Sequence, residues 1–246
     1  MSSIVIIPAR MAATRLPGKP LADIAGLPMI IRVWGSAVRA AIGPVIVAAG
    51  DAEIVDTVNA HGGTAILTDP ALPSGTDRVF AALEIFDPHA SHERVINLQG
   101  DLPLLDPKQL RVVDETLAQS GADIATLAAP ISDAGDFDNP NVVKPVVAWP
   151  ANAAYGRGLY FSRARAPFGD GDYYHHIGIY AFRRAALARF VALPPSPLEK
   201  RERLEQLRAL EAGMSIVVAR VDEAPLSVDT PEDLEKARAA AVSLGV

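Results

Sequence analysis

The sequence predicts an α/β protein: a doubly wound, mostly parallel sheet with an inserted arm. The first observation is a set of short apolar runs, Ile4 to Ile7, Pro44 to Ala49 and Thr64 to Leu67, with little polar alternation along them. Runs of this kind belong to strands buried on both faces. The second is that helix-length segments alternate with them, which implies right-handed crossovers between parallel neighbours. The third is a change of rhythm after Pro130, where Pro and Gly crowd the chain. At 246 residues the chain is long enough to bury a sizeable core. It reads as one domain, 1–246, with 130–183 as the arm.

In order, the run Ile4-Val5-Ile6-Ile7 breaks at Pro8 and enters a loop carrying Arg10, Arg15 and Lys19. Pro17-Gly18 shapes the turn before Lys19. Met29 to Ala41 is predicted helical, stopped by Gly43-Pro44. After the second strand, Ala52 to Ala60 is helical and Gly62-Gly63 ends it. The third strand is followed by a helix over Thr76 to Phe86, a strand over Arg94 to Gln99, a helix over Pro107 to Gln119 and a strand over Asp123 to Ala129. Beyond Pro130, Val142 to Trp149 and His176 to Phe182 read as strands, with a loop-rich stretch from Ala151 to Tyr174 between them. Arg184 to Leu193 is helical. Leu198 to Glu211 reads as one helix with Leu204, Leu207 and Leu210 as its apolar stripe. A strand over Ser215 to Arg220 and a helix over Pro231 to Val242 close the chain.

Composition narrows the function. Half the residues are apolar, 21% are charged, the net charge is −6 and the pI is near 5.4. An acidic balance argues against a nucleic-acid partner, whose footprint is a basic face. The cations Arg10, Arg15 and Lys19 are therefore local positive charge on an acidic protein, which suits a small polyanion at the carboxyl edge of the sheet. The alternative is a solvated basic loop. With no cysteine, disulfides and thiolate metal sites are excluded. The N-terminal apolar run is too short for a signal peptide and no run approaches a membrane span, so a soluble, cytoplasmic protein is expected.

Several common motifs fail here: Gly18-Lys19 lacks the rest of a phosphate-binding loop, and His92-Glu93 has no second His for a zinc helix. Asp170-Gly171-Asp172 reads as a solvated turn. Gln99-Gly100-Asp101 is different, because it leaves the fourth strand at the edge where the basic loop emerges. Asp101 there is either a turn cap or a carboxylate that bridges a hard cation to phosphate. Asp229 stands just before Thr230-Pro231, a natural helix cap and first position, and has no helical task of its own. It is the second candidate metal ligand. Ser74-Gly75 opens a helix, where backbone N–H groups hold a base or phosphate, or where Ser74 and Thr76 simply cap.

The longer motifs run through essentially the whole chain: Ile-Pro-Ala-Arg-x4-Arg-Leu-Pro-Gly-Lys-Pro-Leu at 7–21, Ser-Gly-Thr-Asp-Arg at 74–78, Gln-Gly-Asp at 99–101, and Asn-Pro-Asn-x-Val-Lys at 139–144. They continue with Tyr-Phe-Ser-Arg-Ala at 160–164, His-x-Gly-Ile-Tyr at 176–180, Ser-Pro-Leu-Glu at 196–199, Leu-Glu-Gln-Leu-Arg at 204–208 and Val-Asp-Thr-Pro-Glu-Asp-Leu at 228–234. In this order they closely resemble the 3-deoxy-D-manno-octulosonate (KDO) cytidylyltransferases, the CMP-KDO synthetase family. The resemblance implies a Rossmann-like nucleotidyltransferase fold and a magnesium-dependent reaction of CTP with KDO, giving CMP-KDO and pyrophosphate for lipopolysaccharide synthesis. It implies a homodimer as well.

By the same resemblance, Arg10, Arg15 and Lys19 grip the triphosphate, and Asp101 and Asp229 hold Mg2+. Ala9, Ser74 and Gly75 hold the cytosine. Gln99 faces nucleotide and sugar, and Arg15 also touches substrate. Arg163, His176, Tyr180, Glu205 and Gln206 take the 2-keto-3-deoxy sugar acid. For three of these the residues alone also allow a bland role: a satisfied core His for His176, and an exposed helix face for Glu205 and Gln206. Two positions depart from the family pattern. Leu102 replaces the Glu of Gln-Gly-Asp-Glu-Pro, and Gly50 stands where an Asp is usual. They keep two rivals open, the same reaction on a sialic acid or amino-KDO, and a silent nucleotide-binding homologue.

Overall fold

The computed structural model describes residues 2–12 and 15–245. Ala13 and Thr14, two positions of the basic loop and its motif, lie outside the described residues. The chain divides into two compact units, Met1–Arg111 with Pro225–Val246, and Val112–Ala224.

The first unit is built on β1 (Ser3–Ala9), every residue of which is buried. The hairpin β2 (Asp23–Ile24) and β3 (Leu27–Pro28) precedes α1 (Met29–Ala40). The hairpin is too short to leave a periodic signal, and Arg32 holds it by donating to the carbonyls of Ile24 and Ala25. β4 (Val45–Ala49), α2 (Ala52–Ala60), β5 (Thr64–Leu67), α3 (Gly75–Phe86), β6 (Arg94–Asn97) and α4 (Pro107–Ser120) follow. The strands lie in the order β5-β4-β1-β6, and every ladder among them is parallel. This is the wound unit that the uninterrupted apolar runs predict. Leu98 and Gln99, expected in the strand, leave the ladder, so the loop after β6 begins two residues early.

The second unit carries β7 (Ile124–Pro130), β8 (Lys144–Ala148), β9 (Tyr155–Ser162), β10 (Tyr174–Arg183), α5 (Arg184–Val191), α6 (Pro197–Glu202), α7 (Gln206–Glu211) and β11 (Ile216–Arg220). Its strand order is β10-β7-β11-β9-β8. β7 and β11 run parallel, while β10, β9 and β8 pair antiparallel with their neighbours. The chain then returns to the first unit as α8 (Pro231–Leu244).

Two expectations need correcting. The stretch from Ala151 to Tyr174 is not loop throughout, because β9 lies inside it. Gly156 and Gly158 remove two side chains from that strand, so its alternation is not legible. The predicted helix from Leu198 to Glu211 is also two helices, broken at Arg203 in the left-handed conformation (φ 56°). In a continuous helix the carbonyls of Glu202 and Arg203 would accept from the amides four residues on. Here the Arg163 guanidinium takes both, at 2.7 and 3.3 Å.

Candidate active site

Parallel strands bring their carboxyl ends to one edge, which is where ligands bind in open α/β sheets. In the first unit β1, β4 and β6 deliver Arg10, Gly50 and Gln99 to that edge. Backbone bonds join the loops: Gly50 N donates to Ala9 O at 2.9 Å, and Thr68 N donates to Ala49 O at 2.8 Å. Asp51 adds a side chain, its Oδ2 accepting from Met11 N at 2.7 Å, which fixes the start of the basic loop. The far end of that loop is fixed by Gly18, whose φ of 71° suits glycine. Its N donates to Met11 O at 3.3 Å. The next residue, Lys19, opens a 3-10 turn over Lys19–Leu21.

Lys19 is the centre of the charge arrangement. Its Nζ donates to Asp101 Oδ2 at 3.1 Å and to Asp229 Oδ1 at 3.0 Å. Arg15 Nη2 meets the same Asp229 oxygen at 3.1 Å. Asp101 reaches this point on the loop after β6, where Gly100 is needed for close approach, since a Cβ there would lie 2.9 Å from Pro8 O. Val228 N donates to Asp101 O at 2.9 Å and so joins the segment before α8 to that loop. Thr230 and Asp233 then form the reciprocal cap of α8, leaving the Asp229 carboxylate for the cations. Desolvation pushes the Asp101 carboxyl above its usual value of 3.8; Lys19 opposes this and the Asp229 charge adds to it.

A cavity of about 400 Å³ lies over these groups. It is lined by all three loop cations and both carboxylates, and also by Ala9, Ser74, Gly75 and Gln99. Ser74 caps α3, accepting from Asp77 N at 3.1 Å, so the first amides of that helix open at the cavity. Among the described residues no group of three or more His, Cys, Asp or Glu gathers to hold a metal ion. A pair of carboxylates sharing one ammonium is still the donor set that magnesium uses when it keeps waters and phosphate oxygens as its other ligands.

Sequence reasoning missed Arg78. It is 2% exposed yet lines the cavity, and its Nη1 donates to Thr68 Oγ1 at 2.6 Å and Asp69 O at 3.2 Å. Its signal was its place one turn after Ser74 in the 74–78 motif. Arg78 also borders Gly50: a Cβ at that position would sit 2.9 Å from Arg78 Nη1, so a side chain there requires the guanidinium to shift. Leu102 is 5% exposed and serves the core.

The remaining predicted residues lie in the second unit. His176, on β10, is buried, with Nε2 3.0 Å from Thr126 Oγ1 and its ring edge-on to Phe161. Burial pushes its pKa down to about 3, so the ring is neutral. The Tyr180 ring lies 5.6 Å from that of His176, and burial with the nearby Glu205 charge pushes its phenol pKa up. Gln206, at the start of α7, is 5% exposed, and its Nε2 has no hydrogen-bond partner among the described residues. Arg163 spends its guanidinium on the carbonyls of Pro140, Glu202 and Arg203. Lys144, also buried, donates to the carbonyls of Asn139, Val142 and Arg163 at 2.8, 2.6 and 3.0 Å. These two cations tie the 139–144 motif to the end of β9 and the helix break.

Comparison with known proteins follows the same pattern. The family model described as Cytidylyltransferase matches residues 4–216. The 3-deoxy-manno-octulosonate cytidylyltransferase of Parvibaculum lavamentivorans is 61% identical, covering 96% of this chain and 92% of its own. The protein of that name from Paramagnetospirillum magneticum is 56% identical, covering 97% of each. A solved CMP:2-keto-3-deoxy-manno-octonic acid synthetase complexed with CTP superposes with a TM-score of 0.91 at 37% identity, covering 99% of this chain and 100% of that one. A cytidylyltransferase structure from Leptospira borgpetersenii has a TM-score of 0.64 at 17% identity, covering 99% and 87%, and shares the fold.

Proposed function

The chain belongs to the cytidylyltransferase family and, with that as the premise, we propose that it transfers CMP from CTP to 3-deoxy-manno-octulosonate, releasing pyrophosphate. The observation that carries the reading is the likeness, over 99% of the chain, to a synthetase solved with CTP. The cavity supports it chemically, because Arg10, Arg15 and Lys19 converge where a triphosphate needs cations. The anomeric hydroxyl of the sugar acid gives up its proton to water as its oxygen attacks the α-phosphorus. The new O–P bond forms as the bond to the bridging oxygen breaks, and pyrophosphate leaves with that electron pair. The three cations offset the charge that grows on the leaving group. The α3 amides beside Ser74 and Gly75 receive the nucleotide, with Ala9 and Gln99 on the facing loops.

Asp101 and Asp229 would hold Mg2+, which when bound neutralises phosphate charge and acidifies a coordinated hydroxyl. Arg163, His176, Tyr180, Glu205 and Gln206 are proposed to receive the sugar acid. The buried, unpartnered Nε2 of Gln206 supports that reading, since an amide in that state gains from a ligand acceptor. The test is pyrophosphate release from CTP and magnesium with KDO or N-acetylneuraminate as acceptor. Release with KDO alone is expected. Release with N-acetylneuraminate alone, or with neither, would overturn the proposal.

A further inference from the structure

Gln99 does not meet the cavity as a freely turning amide. Its Nε2 donates to Asn97 Oδ1 at 3.0 Å, and Asn97 Nδ2 donates to Thr76 Oγ1 at 3.2 Å. Asn97 is 0% exposed and Thr76 3% exposed, so this chain of bonds runs through the interior of the first unit. Its geometry follows from the elements. Asn97 ends β6 and Gln99 stands two residues on, while Thr76 sits in the first turn of α3. An amide carries two N–H donors on its nitrogen and an acceptor oxygen on the other side. With one N–H of Nε2 committed to Asn97, the plane of the Gln99 amide is set and Oε1 is turned away from that bond. A Cβ built on Gly75 would lie 3.7 Å from that oxygen and 3.4 Å from Pro8 Cγ, and all three residues line the cavity. Turning the Gln99 amide over would set its Oε1 against Asn97 Oδ1, two acceptors facing each other across a part-buried bond, which is costly.

We propose that Thr76 and Asn97 are positioning residues that set substrate selectivity, by holding Gln99 so that it turns its carbonyl oxygen to a hydrogen-bond donor on the substrate. The inference rests on the reading that CTP occupies this cavity. Two donors have the required chemistry: the exocyclic amino group of cytosine, where uracil carries a carbonyl, and a hydroxyl of the sugar acid. Sites built around a fixed polar partner discriminate strongly, because the wrong ligand leaves that partner unpaired.

The experiment compares wild type, Thr76→Val and Thr76→Ser, reading kcat/KM with CTP and with UTP, and KM for KDO. Thr76→Val keeps the shape and removes the acceptor of the Asn97 amide. If the donor is the cytosine amino group, the CTP-over-UTP ratio should fall about tenfold. If it is a sugar hydroxyl, KM for KDO should rise about tenfold with the nucleotide ratio unchanged. Thr76→Ser, which keeps the hydroxyl, should behave as wild type in both readouts. A purely structural role would lower the melting temperature of Thr76→Val and move neither readout; both staying within about twofold of wild type overturns the inference. So does Thr76→Ser behaving like Thr76→Val. Should Thr76→Val not fold, Thr76→Ala removes the same hydroxyl and carries the same test, and no shift in either readout overturns the inference. A wild-type protein with no turnover of CTP and KDO overturns the functional reading, and this inference with it.

Discussion

Replacing Asp101 by Asn should separate activity from stability, moving them in opposite directions. The substitution keeps the shape and an acceptor for Lys19 but removes one negative charge. At an effective dielectric near 20, an ammonium 3.1 Å away attracts the carboxylate by about 5 kcal/mol. The carboxyl pKa nevertheless lies above 3.8, so desolvation together with the Asp229 charge outweighs that attraction. The sign follows from linkage. A carboxyl raised in the folded state binds its proton more tightly there than in the unfolded chain, so the ionised form costs stability. That cost is absent below 3.8, grows as pH climbs to the raised value and is complete above it. Asp101→Asn should therefore hold or raise the melting temperature at pH 7, by up to about 1 kcal/mol or roughly 2–4 °C. The gain should vanish below pH 3.8. Turnover should fall by about 100-fold or more, about 3 kcal/mol, as expected when a charged group aimed at the reacting phosphates is lost. Pyrophosphate release and scanning calorimetry on the same preparation check both. Turnover within about threefold of wild type would refute the role of the carboxylate at the reacting phosphates. A melting temperature lowered by more than about 4 °C would refute the argument that desolvation and the Asp229 charge outweigh the pull of Lys19.

Lys19→Met should cut CTP-dependent turnover by about 100-fold and raise KM for CTP, leaving KM for the acceptor unchanged; a change in acceptor saturation alone would contradict the triphosphate assignment. Gly50→Asp should change stability by less than about 1 kcal/mol in urea titration, because the Arg78 guanidinium, 2.9 Å from the new Cβ, shifts and pairs with the added carboxylate; a loss of more than about 3 kcal/mol would mean that Arg78 does not give way. His176, with its pKa held near 3 against an ordinary 6.5, stays neutral when folded but protonates when unfolded. Stability should therefore be lost as pH falls from 6.5 towards 3, with about 2 kcal/mol from this residue by pH 5. His176→Gln should flatten that part of the curve in urea melts, and an unchanged slope would argue against a buried neutral ring.

The positions that line the cation-bearing cavity were legible because each is tied to a local rule. Ile4 to Ile7 announced a buried strand, Pro17-Gly18 the turn before Lys19, and Thr230-Pro231 a helix cap that left Asp229 without local work. Parallel winding then implied that the loops after the first and fourth strands share an edge, which brings Arg10 and Asp101 together. Arg78 was harder, since an Arg in the first turns of a helix normally faces water, and only the fold shows it turned onto Thr68 and the carbonyls that follow.

The sequence by itself determined the fold class, the family and the residue types of the site, because periodicity, turn chemistry and motif order are properties of neighbours along the chain. Only the tertiary structure decided which polar groups are already spoken for. Arg163 binds carbonyls and breaks a helix that Leu204, Leu207 and Leu210 had predicted as continuous, Lys19 bridges two carboxylates far apart in sequence, and Gln99 is oriented by Asn97 and Thr76. The physical reason is that a hydrogen bond is set by distance and direction in space. A side chain with several possible partners takes the ones folding brings within reach, and the sequence does not encode that choice locally.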